Sequence, residues 1–389
     1  MPRIAFHCFA IGFLIVAVAG RALAQPYAFI SVSGPSNRVV HVIDLETMAI
    51  ETSIGDLGDE PARMVANVDR SLIWLSSWRD LPGPSSEGLV HLIDTRSRQV
   101  LATRVVGLSQ NRTIALSPDE SRVYTWKLEL VNGVATIGVV VLDALTLAEI
   151  TVVPITGPNC PQFASQIAVG PDGRIVAAAC ADGLRIIDPI TLAVTIGAPT
   201  PLSVSPVFGF SPDGGEVYVR ASGSVGVGTG LLAIDLATGI GTEFHWQVPD
   251  GSPGFPQGSG PTRMVVVQRP IDPPGDPTVF FTYNSALGNT PVAWARSSDL
   301  APPGPNPRMR RLIGRAALGP VSSLGAAIEG TVGLGARIGA IRRLRFDVTS
   351  TGDAVVADGE ALSFAGISNF TDIIIVPGPV DGIFSNGFE

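Results

Sequence analysis

The sequence predicts an all-β protein, specifically a β-propeller of seven blades with four antiparallel strands each. Three observations support this prediction: a composition rich in turn-forming residues, an apolar strand motif that recurs along the chain, and a second turn motif between its copies. Glycine (44) and proline (32) make up about a fifth of the 389 residues, whereas charged residues account for 15%. This balance provides many tight turns between apolar strands and few charged helix surfaces.

Five segments share one pattern, in which an apolar run leads to an aspartate with threonine or serine three positions later. The segments are VHVIDLET, VHLIDTRS, VVVLDALT, LRIIDPIT and LLAIDLAT, and their aspartates are Asp44, Asp94, Asp143, Asp188 and Asp235. Successive aspartates lie 45 to 50 residues apart. An aspartate at a strand end can accept hydrogen bonds from the backbone N–H groups of the next turn. The hydroxyl of the threonine or serine three positions later can close the same turn from its other side. The periodicity therefore predicts turn caps and not catalytic carboxylates.

A second turn motif falls between these copies and joins two apolar runs each time. It reads SPDE at 117–120, GPDG at 170–173 and SPDGG at 211–215. Proline sets φ early in the turn, and Asp-Gly supplies the positive φ angles that a tight hairpin needs. Each repeat of about 50 residues therefore contains about four short antiparallel strands, which is the composition of a propeller blade.

The number of blades follows from length, because residues 25–377 hold about seven such repeats. Tyr27 to Val32 forms a lone strand pattern without a preceding hairpin, so we expect it to complete the last sheet and close the ring. The segment 300–342 is rich in proline and then in glycine, alanine and leucine. It is predicted to be an irregular insertion or a degraded blade, and six or eight blades remain alternatives.

The repeat resembles that of the YVTN (YncE-like) propeller family, which reads roughly as V-x-V-I-D-x-x-T, an s-P-D-G hairpin and a Y-V strand. This resemblance covers residues 27 to about 240. More loosely, the chain is similar to lactonase-like propellers. The first resemblance implies a propeller fold, and the looser one implies a hydrolase as an alternative function.

The first 24 residues have the pattern of a secretory signal peptide. Arg3 precedes an apolar run over residues 4–19, and Ala22-Leu23-Ala24 supplies small residues at the cleavage positions. An uncleaved membrane anchor is the alternative, but the run is shorter than the roughly 20 residues that a spanning helix needs. We therefore expect three parts: a signal peptide (1–24), the propeller (25–377) and a C-terminal tail (378–389).

The tail indicates where the protein acts. Its last residues, IFSNGFE, are similar to short endings of some exported bacterial proteins. This resemblance implies a Gram-negative source and a secreted or periplasmic protein, with cell-surface association as a further option. A frayed terminus is the alternative to a sorting element.

The charge balance limits the class of partner. Removing the signal peptide takes away two arginines and no acid, so the net charge changes from -8 to about -10. An acidic protein is a poor match for nucleic acid or an anionic membrane. We therefore expect no nucleic acid, no stable membrane span, and a monomer that binds a protein or a surface glycan. The arginines around 308–315 and 342–345 are expected to be solvated charges that discourage strand pairing, with an anion-binding patch as the alternative.

Residues with obvious catalytic chemistry are scarce in this sequence. It has no G-x-S-x-G elbow, no H-E-x-x-H helix, no phosphate-binding loop and no haem-attachment motif. His41 and His91 occupy the same place in the first two repeats, where they could line one channel and share a metal. We favour packing between blades, since no third ligand occurs at that position. No catalytic residue, metal or cofactor is predicted.

Cys160 and Cys180 are the two cysteines after the signal peptide, and they flank the hairpin at 170–173. An even pair in an oxidising compartment favours a disulfide bond. Taken together, the sequence favours a non-catalytic binding or scaffold module that uses loops on one face of the ring. The alternative is a lactonase-like hydrolase with a metal site in the central channel.

Overall fold

The structure is a computed structural model, and its regular elements are all β-strands in the part of the chain that it describes. The described residues are 27–33, 38–82, 85–108, 112–131, 134–155, 166–180, 183–197, 207–211, 214–220, 231–247, 261–267, 278–283, 289–296, 309–311, 314–320, 324–329, 332–337, 340–349, 352–363 and 369–376. Within these ranges, no helix is long and apolar enough to cross a membrane. The predicted signal peptide and C-terminal tail lie outside them.

The strands follow one another along the chain with short connections. Those of the first half are β1 (Tyr27–Ser33), β2 (Val39–Asp44), β3 (Ala49–Ile54), β4 (Glu60–Ala66), β5 (Leu72–Asp80), β6 (Ser86–Asp94), β7 (Gln99–Gly107), β8 (Ala115–Leu116), β9 (Arg122–Val131), β10 (Val134–Asp143), β11 (Glu149–Ile155), β12 (Gln166–Val169), β13 (Ile175–Cys180), β14 (Gly183–Ile187) and β15 (Val194–Gly197). Those of the second half are β16 (Val207–Phe210), β17 (Glu216–Arg220), β18 (Leu231–Asp235), β19 (Gly241–Gln247), β20 (Pro261–Val267), β21 (Thr278–Tyr283), β22 (Asn289–Arg296), β23 (Met309–Arg311), β24 (Gly314–Pro320), β25 (Leu324–Glu329), β26 (Val332–Arg337), β27 (Ala340–Thr349), β28 (Gly352–Ser363) and β29 (Asn369–Val376).

In the described residues, these strands form seven sheets, numbered here in ring order. Their strand orders are β29-β1-β2-β3 (sheet 1), β4 to β7 (sheet 2), β8 to β11 (sheet 3), β12 to β15 (sheet 4), β16 to β19 with β23 (sheet 5), β20-β21-β22-β24 (sheet 6) and β25 to β28 (sheet 7). Neighbouring strands in each four-stranded sheet are antiparallel. The first strands of consecutive sheets contact one another in the same cyclic order, from β29 through β4, β8, β12, β16, β20 and β25 back to β29. The predicted all-β fold is confirmed.

The ring closes through both ends of the chain. The N-terminal strand β1 pairs with β2 on one side and with the last strand, β29, on the other. The prediction that the N-terminal strand completes the last sheet is therefore confirmed, and the structure adds that the C-terminal strand provides the innermost position of that sheet. Such a ring of sheets leaves only short, protected strand edges.

Apolar runs such as VVHVID form strands that are buried on both faces. In β2, Val40 and Val42 pack in a cluster with Ile73 of sheet 2. Ile43, whose side chain lies on the opposite face of the strand, packs with Ile341 of sheet 7. Because each sheet lies between two others, side chains on both faces of a strand are mostly apolar. The strand therefore appears in the sequence as a nearly continuous apolar run.

The segment 300–342, which appears irregular in the sequence, contains strands of three sheets. β24 is the outer strand of sheet 6, and β25 and β26 begin sheet 7. The short strand β23 pairs in parallel with β19 and adds a fifth strand to sheet 5. Weak sequence repeats can still form sheets, since the neighbouring strands supply the register.

Candidate functional site

The ring has two ends with different kinds of connection. At one end, here called the cap end, turns join the first strand to the second in sheets 2 to 5 and the third strand to the fourth in sheets 1 to 5. The connections between second and third strands, and between successive sheets, lie at the opposite end. All five periodic aspartates fall in third-to-fourth-strand turns at the cap end.

Each of these aspartates accepts hydrogen bonds within its own turn. Oδ1 of Asp143 accepts from the backbone N–H of Leu145 (3.1 Å) and Thr146 (2.8 Å) and from the Thr146 hydroxyl (2.7 Å). Asp188 repeats the arrangement with Ile190 and Thr191. Backbone N–H groups also donate to Asp44, Asp94 and Asp235.

The hydrogen bonds lower the pKa of three of these carboxylates. The backbone N–H of Thr146 lowers the pKa of Asp143, helped by the Thr146 hydroxyl. The same pair of groups on the threonine three positions later lowers the pKa of Asp188 and of Asp235. The turns then place Met48, Arg98, Leu147, Leu192 and Gly239 at positive φ, between 53° and 70°. Four of these residues are not glycine, so the aspartate holds a backbone conformation that these residues rarely adopt.

The first-to-second-strand turns use a side chain at their first position. Ser117 accepts a hydrogen bond from the backbone N–H of Arg122 (2.9 Å), and Ser211 accepts one from that of Glu216 (2.9 Å). In sheet 2, Asn67 takes this role and accepts from the N–H of Leu72 (2.9 Å). The serine motif in the sequence did not predict this role of Asn67, because its amide oxygen accepts the hydrogen bond that a serine hydroxyl accepts in the other turns.

A cleft of about 580 Å³ opens at the cap end between three first strands. Its apolar walls come from β29, β4 and β8, the first strands of sheets 1, 2 and 3, through Ile373, Ile374, Ile375, Met64, Val65, Ala66 and Leu116. The turns 67–70 and 117–120 form its rim. Because first strands surround the axis of the ring, we call it the axial cleft.

Two charged side chains line the axial cleft, and both bridge neighbouring sheets. Arg70 donates through Nη1 to the backbone carbonyl of Ile375, which joins sheet 2 to sheet 1. Glu120 accepts from the backbone N–H of Val68, which joins sheet 3 to sheet 2. Burial lowers the pKa of Arg70, although arginine stays protonated.

A different polar cluster lies at the opposite end, at the start of β4. Burial raises the pKa of Glu60, with Arg112 opposing the rise and Asp80 adding to it. The Arg112 guanidinium lies 4.7 Å from the ring centre of Trp78, within range of a cation–π interaction. A carboxyl group with a raised pKa beside a cation is an arrangement that can transfer protons.

His41 and His91 lie inside sheets. His91 is fully buried, and its Nε2 is 2.8 Å from the Ser77 hydroxyl while its Nδ1 is 2.9 Å from that of Thr103. Nδ1 of His41 is 2.8 Å from the Ser53 hydroxyl. Burial lowers the pKa of His91 to about 4 and lowers that of His41 as well. Both histidines therefore link the third strand to the fourth, and neither lines a channel.

The remaining predicted groups are placed only in part. Cys160 lies outside the described residues, and the side chain of Cys180 is not described, so the disulfide stays a prediction. Arg308 lies outside the described residues, whereas Arg310 and Arg311 belong to β23 and Arg315 to β24. Within the described ranges, no group of three or more His, Cys, Asp or Glu side chains could hold a metal ion.

Large aliphatic side chains are exposed on turns at the cap end. In the described part of the chain, these residues are Val68 (88% exposed), Leu145 (66%), Ile190 (88%) and Ile240 (66%). They belong to sheets 2, 3, 4 and 5, and we call them the aliphatic tips. Two contacts join neighbouring turns at this end: Arg122 donates to the carbonyl of Pro189 (3.2 Å), and Gly214 lies against Pro171.

No protein-family model matches the chain, and no curated protein matches it either. Solved structures are similar to it over most of its length. They include the periplasmic gluconolactonase of Pseudomonas aeruginosa, which is 15% identical with a TM-score of 0.57, over 91% of this chain and 100% of that chain. Two 6-phosphogluconolactonase candidates match comparably: one from Bacteroides uniformis (13%, TM-score 0.56, 91% and 100% covered) and one from Bacteroides fragilis (14%, 0.57, 91% and 98%). At this identity the similarity establishes the fold alone, a β-propeller.

Proposed function

We propose that the chain is an exported, non-catalytic binding module that holds a protein partner against the cap end of its propeller. The aliphatic tips are the observation on which the proposal depends. Single exposed aliphatic residues are common on protein surfaces and need no explanation. Four of them recur on turns at one end of the described ring, in four consecutive sheets, and this recurrence supports a partner surface at that end.

The chemistry of the tips favours a protein over a glycan. Glycan sites stack sugar rings on aromatic side chains, whereas leucine, valine and isoleucine offer only apolar contact. Leu145, Ile190 and Ile240 each share a turn with an aspartate whose pKa is lowered by hydrogen bonds. The cap end is therefore both apolar and acidic, and a matching partner surface has apolar pockets among basic side chains.

The location and the domain division are part of this proposal. Residues 1–24 would direct export and be removed, residues 25–377 would form the propeller, and 378–389 would remain as a tail. The YVTN (YncE-like) resemblance supports an exported bacterial propeller, and a similar solved structure is named as periplasmic. We propose a monomer, because the acidic cap ends of two copies would repel each other.

Affinity capture with matched variants tests this function. The mature protein, a Leu145→Ser/Ile190→Ser variant and a Leu101→Ser/Ile196→Ser variant would each be incubated with periplasmic extract of the source bacterium. Leu101 and Ile196 are also more than half exposed, but they lie on the outer strands β7 and β15. Quantitative mass spectrometry should find a protein that is lost from the first variant, retained by the second, and released by salt. The proposal fails if no captured protein depends on Leu145 and Ile190.

Lactone hydrolysis is the second candidate, supported by the Glu60 cluster and by the names of the similar structures. Glu60 would take a proton from water as the water oxygen attacks the lactone carbonyl carbon, and Arg112 would stabilise the negative charge that develops on the carbonyl oxygen. The ring C–O bond then breaks, and the leaving oxygen takes the proton back from Glu60. This role requires no group outside the described cluster apart from water and the lactone.

A direct assay separates this candidate from the binding module. The rate of acid release from glucono-1,5-lactone, followed by titration, should exceed the rate of spontaneous hydrolysis. Glu60→Gln should reduce this excess rate about a hundredfold. Glu87→Gln is the control, because Glu87 lies in the same sheet on β6 and pairs with Arg79. A rate equal to the spontaneous one for the native protein would eliminate hydrolysis of this lactone.

A further inference from the structure

We infer that β15, the outer strand of sheet 4, is an open edge at which an extended segment of a partner protein adds a further strand. The inference concerns a different surface from the aliphatic tips: Ile190 lies in the turn before β15, but none of the tips belongs to the strand. It depends on the register of the outer strands, on the composition of β15, and on β23, which already pairs with an outer strand of this protein.

Most outer strands pair with the third strand of their sheet through a register shift. In sheets 1, 2 and 3 the shift is a β-bulge of one extra residue: Glu51 of β3, Leu101 of β7 and Ile150 of β11. The pairings of β22 with β24 and of β27 with β28 are also shifted. A bulge twists an edge strand and disrupts its ladder, which is one way that proteins prevent unwanted strand pairing. Among the described sheets, only sheets 4 and 5 lack such a shift, and β19 of sheet 5 already pairs with β23.

The composition of β15 also lacks the side chains that discourage pairing. Its sequence, VTIG, contains no charged residue and no proline, whereas every other outer strand of the described sheets contains at least one charged residue. Val194 is 36% exposed and Ile196 is 61% exposed. The edge is therefore regular, uncharged and apolar, and these are the properties that make an edge strand accept another strand.

The hydrogen-bond pattern between β14 and β15 shows which backbone groups face outward. The backbone N–H of Asp188 donates to the carbonyl of Ala193 (3.0 Å), at the start of this antiparallel ladder. Because hydrogen-bonded and non-hydrogen-bonded pairs alternate along such a ladder, Thr195 also bonds to β14. The N–H and C=O groups of Val194 and Ile196 then point away from β14, about 7 Å apart. They offer two donors and two acceptors at the spacing of an extended backbone.

The strand β23 indicates the kind of segment that fits an outer strand of this protein. It lies between β22 and β24 of sheet 6 in the chain, and it pairs in parallel with residues 245–247 of β19. Three residues are therefore enough, and β15 has four. β23 has the sequence MRR, and a basic segment also suits a protein with a formal net charge of -8. The occupant that we propose is thus an extended segment of another protein with apolar and basic residues.

Fluorescence polarisation with a matched pair of peptides tests the inference. The first is a labelled peptide with the sequence of residues 307–313, PRMRRLI, which includes β23. The second has the same side chains and charge but is N-methylated at the three β23 residues, so it lacks their backbone donors. The first peptide should bind the mature protein saturably and about tenfold more tightly than the second. Equal affinities would mean that charge attraction holds the peptide, and they would overturn the inference, as would the absence of saturable binding.

Hydrogen exchange of the native protein locates the bound peptide. The backbone N–H groups of Val194 and Ile196 should exchange about tenfold more slowly in its presence, because each then donates to the added strand. Protection confined to β19 would mean that the peptide replaces β23, and it would overturn the inference. Protection of Val194 and Ile196 without peptide, rising with protein concentration, would assign the edge to a second copy of the chain and overturn it equally.

Two substitutions at one position separate the backbone from the side chain. Ile196→Pro removes an outward donor and keeps the bonds of Thr195 to β14, since an edge strand tolerates proline where the missing N–H faces solvent. It should weaken peptide binding about tenfold. Ile196→Ala keeps the N–H and should retain most of the affinity, so equal losses in both variants would contradict strand addition. If Ile196→Pro proves too unstable to measure, the N-methylated peptide makes the same test on the native protein.

The outcome for β15 does not decide the outcome for the aliphatic tips. The Leu145→Ser/Ile190→Ser variant of the capture experiment keeps the backbone of β15 and should bind the peptide as the native protein does. The Leu101→Ser/Ile196→Ser variant also keeps the N–H of Ile196, so its edge stays able to pair. Failure of one proposal therefore leaves the other to be judged on its own measurement.

Discussion

The junction of sheet 2 with sheet 1, whose innermost strand β29 closes the ring, differs from a junction inside the chain, and we call it the closing junction. Between sheets 1 and 2, the Ser31 hydroxyl donates to the carbonyl of Ala62 (3.0 Å), and the backbone N–H of Met64 donates to Oδ2 of Asp372 (2.9 Å). Arg70 adds a third bond, to Ile375. Between sheets 3 and 4, Thr113 makes the equivalent contacts, accepting from the N–H of Ile167 (3.0 Å) and donating weakly to its carbonyl (3.5 Å).

The two junctions also share an apolar layer. Val42, Ile73 and Leu75 belong to the cluster at the closing junction, and Val139, Ile167 and Ile175 to the cluster between sheets 3 and 4. The difference is that the closing junction joins strands more than 300 residues apart, and it holds them with a buried carboxylate. Chain connection helps to align ordinary neighbours, whereas the closing strand must be aligned by its own contacts.

Removing the buried carboxylate should have the largest effect on stability. Asp372 is 1% exposed and accepts from the N–H groups of Met64 and Ile373 (2.8 Å). Asp372→Ala leaves these buried donors without a partner, so we expect a loss of about 3 kcal/mol in the free energy of unfolding. Denaturant unfolding followed by tryptophan fluorescence measures it. A loss below about 1 kcal/mol would mean that apolar packing alone closes the ring.

Acid should weaken sheet 2, next to the closing junction, through His91. Its pKa of about 4 in the folded state is below the value of 6.5 for a free histidine, so the unfolded chain binds the proton more readily. The contribution to stability is complete above pH 6.5 and is lost as the pH falls towards 4, by about 3 kcal/mol in total. Unfolding at several pH values should show this slope, and His91→Gln should remove it. An unchanged slope in the variant would assign the titration to another group.

The matched change at the ordinary junction should be smaller. Thr113→Val keeps the shape of the side chain and removes the hydroxyl that accepts from Ile167, so we expect a loss of about 1 to 2 kcal/mol. The same denaturant experiment applies. If Thr113→Val costs as much as Asp372→Ala, the closing junction has no special reliance on polar contacts.

The smallest effect should come from a single turn cap. Asp188→Ala removes the acceptor for the backbone N–H groups of Ile190 and Thr191. We expect it to lower the free energy of unfolding less than Thr113→Val does, because the turn is exposed and water can replace the lost acceptor. Leu192, at a φ of 58°, would lose the turn that holds it. Asp188→Asn is the control, because its side-chain oxygen can still accept. Equal losses in the two variants would mean that the charge, and not the hydrogen bonds, is what stabilises the turn.

Local signals in the sequence were sufficient to predict the all-β fold, the repeated strands of the first half of the chain and the turns at the cap end. The five periodic aspartates and the SPDG-type turns make their hydrogen bonds within a few residues of themselves. Their pattern can therefore be recognised in the sequence without knowledge of the tertiary structure. The role of Asn67 was missed because asparagine occupies the position of the motif's serine, and either side chain can accept the hydrogen bond that closes the turn. The strands β24 to β26 were missed because their glycine-rich segments lack a clear alternation, and partners on both sides supply what the pattern lacks.

The sequence by itself determined which residues form strands and which cap turns, because these depend on backbone conformation and on neighbours in the chain. Only the tertiary structure decided what lies side by side around the axis. Asp372 beside Met64, Arg70 beside Ile375, and Arg112 beside Trp78 and Glu60 all come from different sheets or distant segments. Nothing local encodes these pairs, because each exists only when the closed ring brings the first strands of its sheets together. The axial cleft likewise exists only in the tertiary structure, because its walls come from three different sheets.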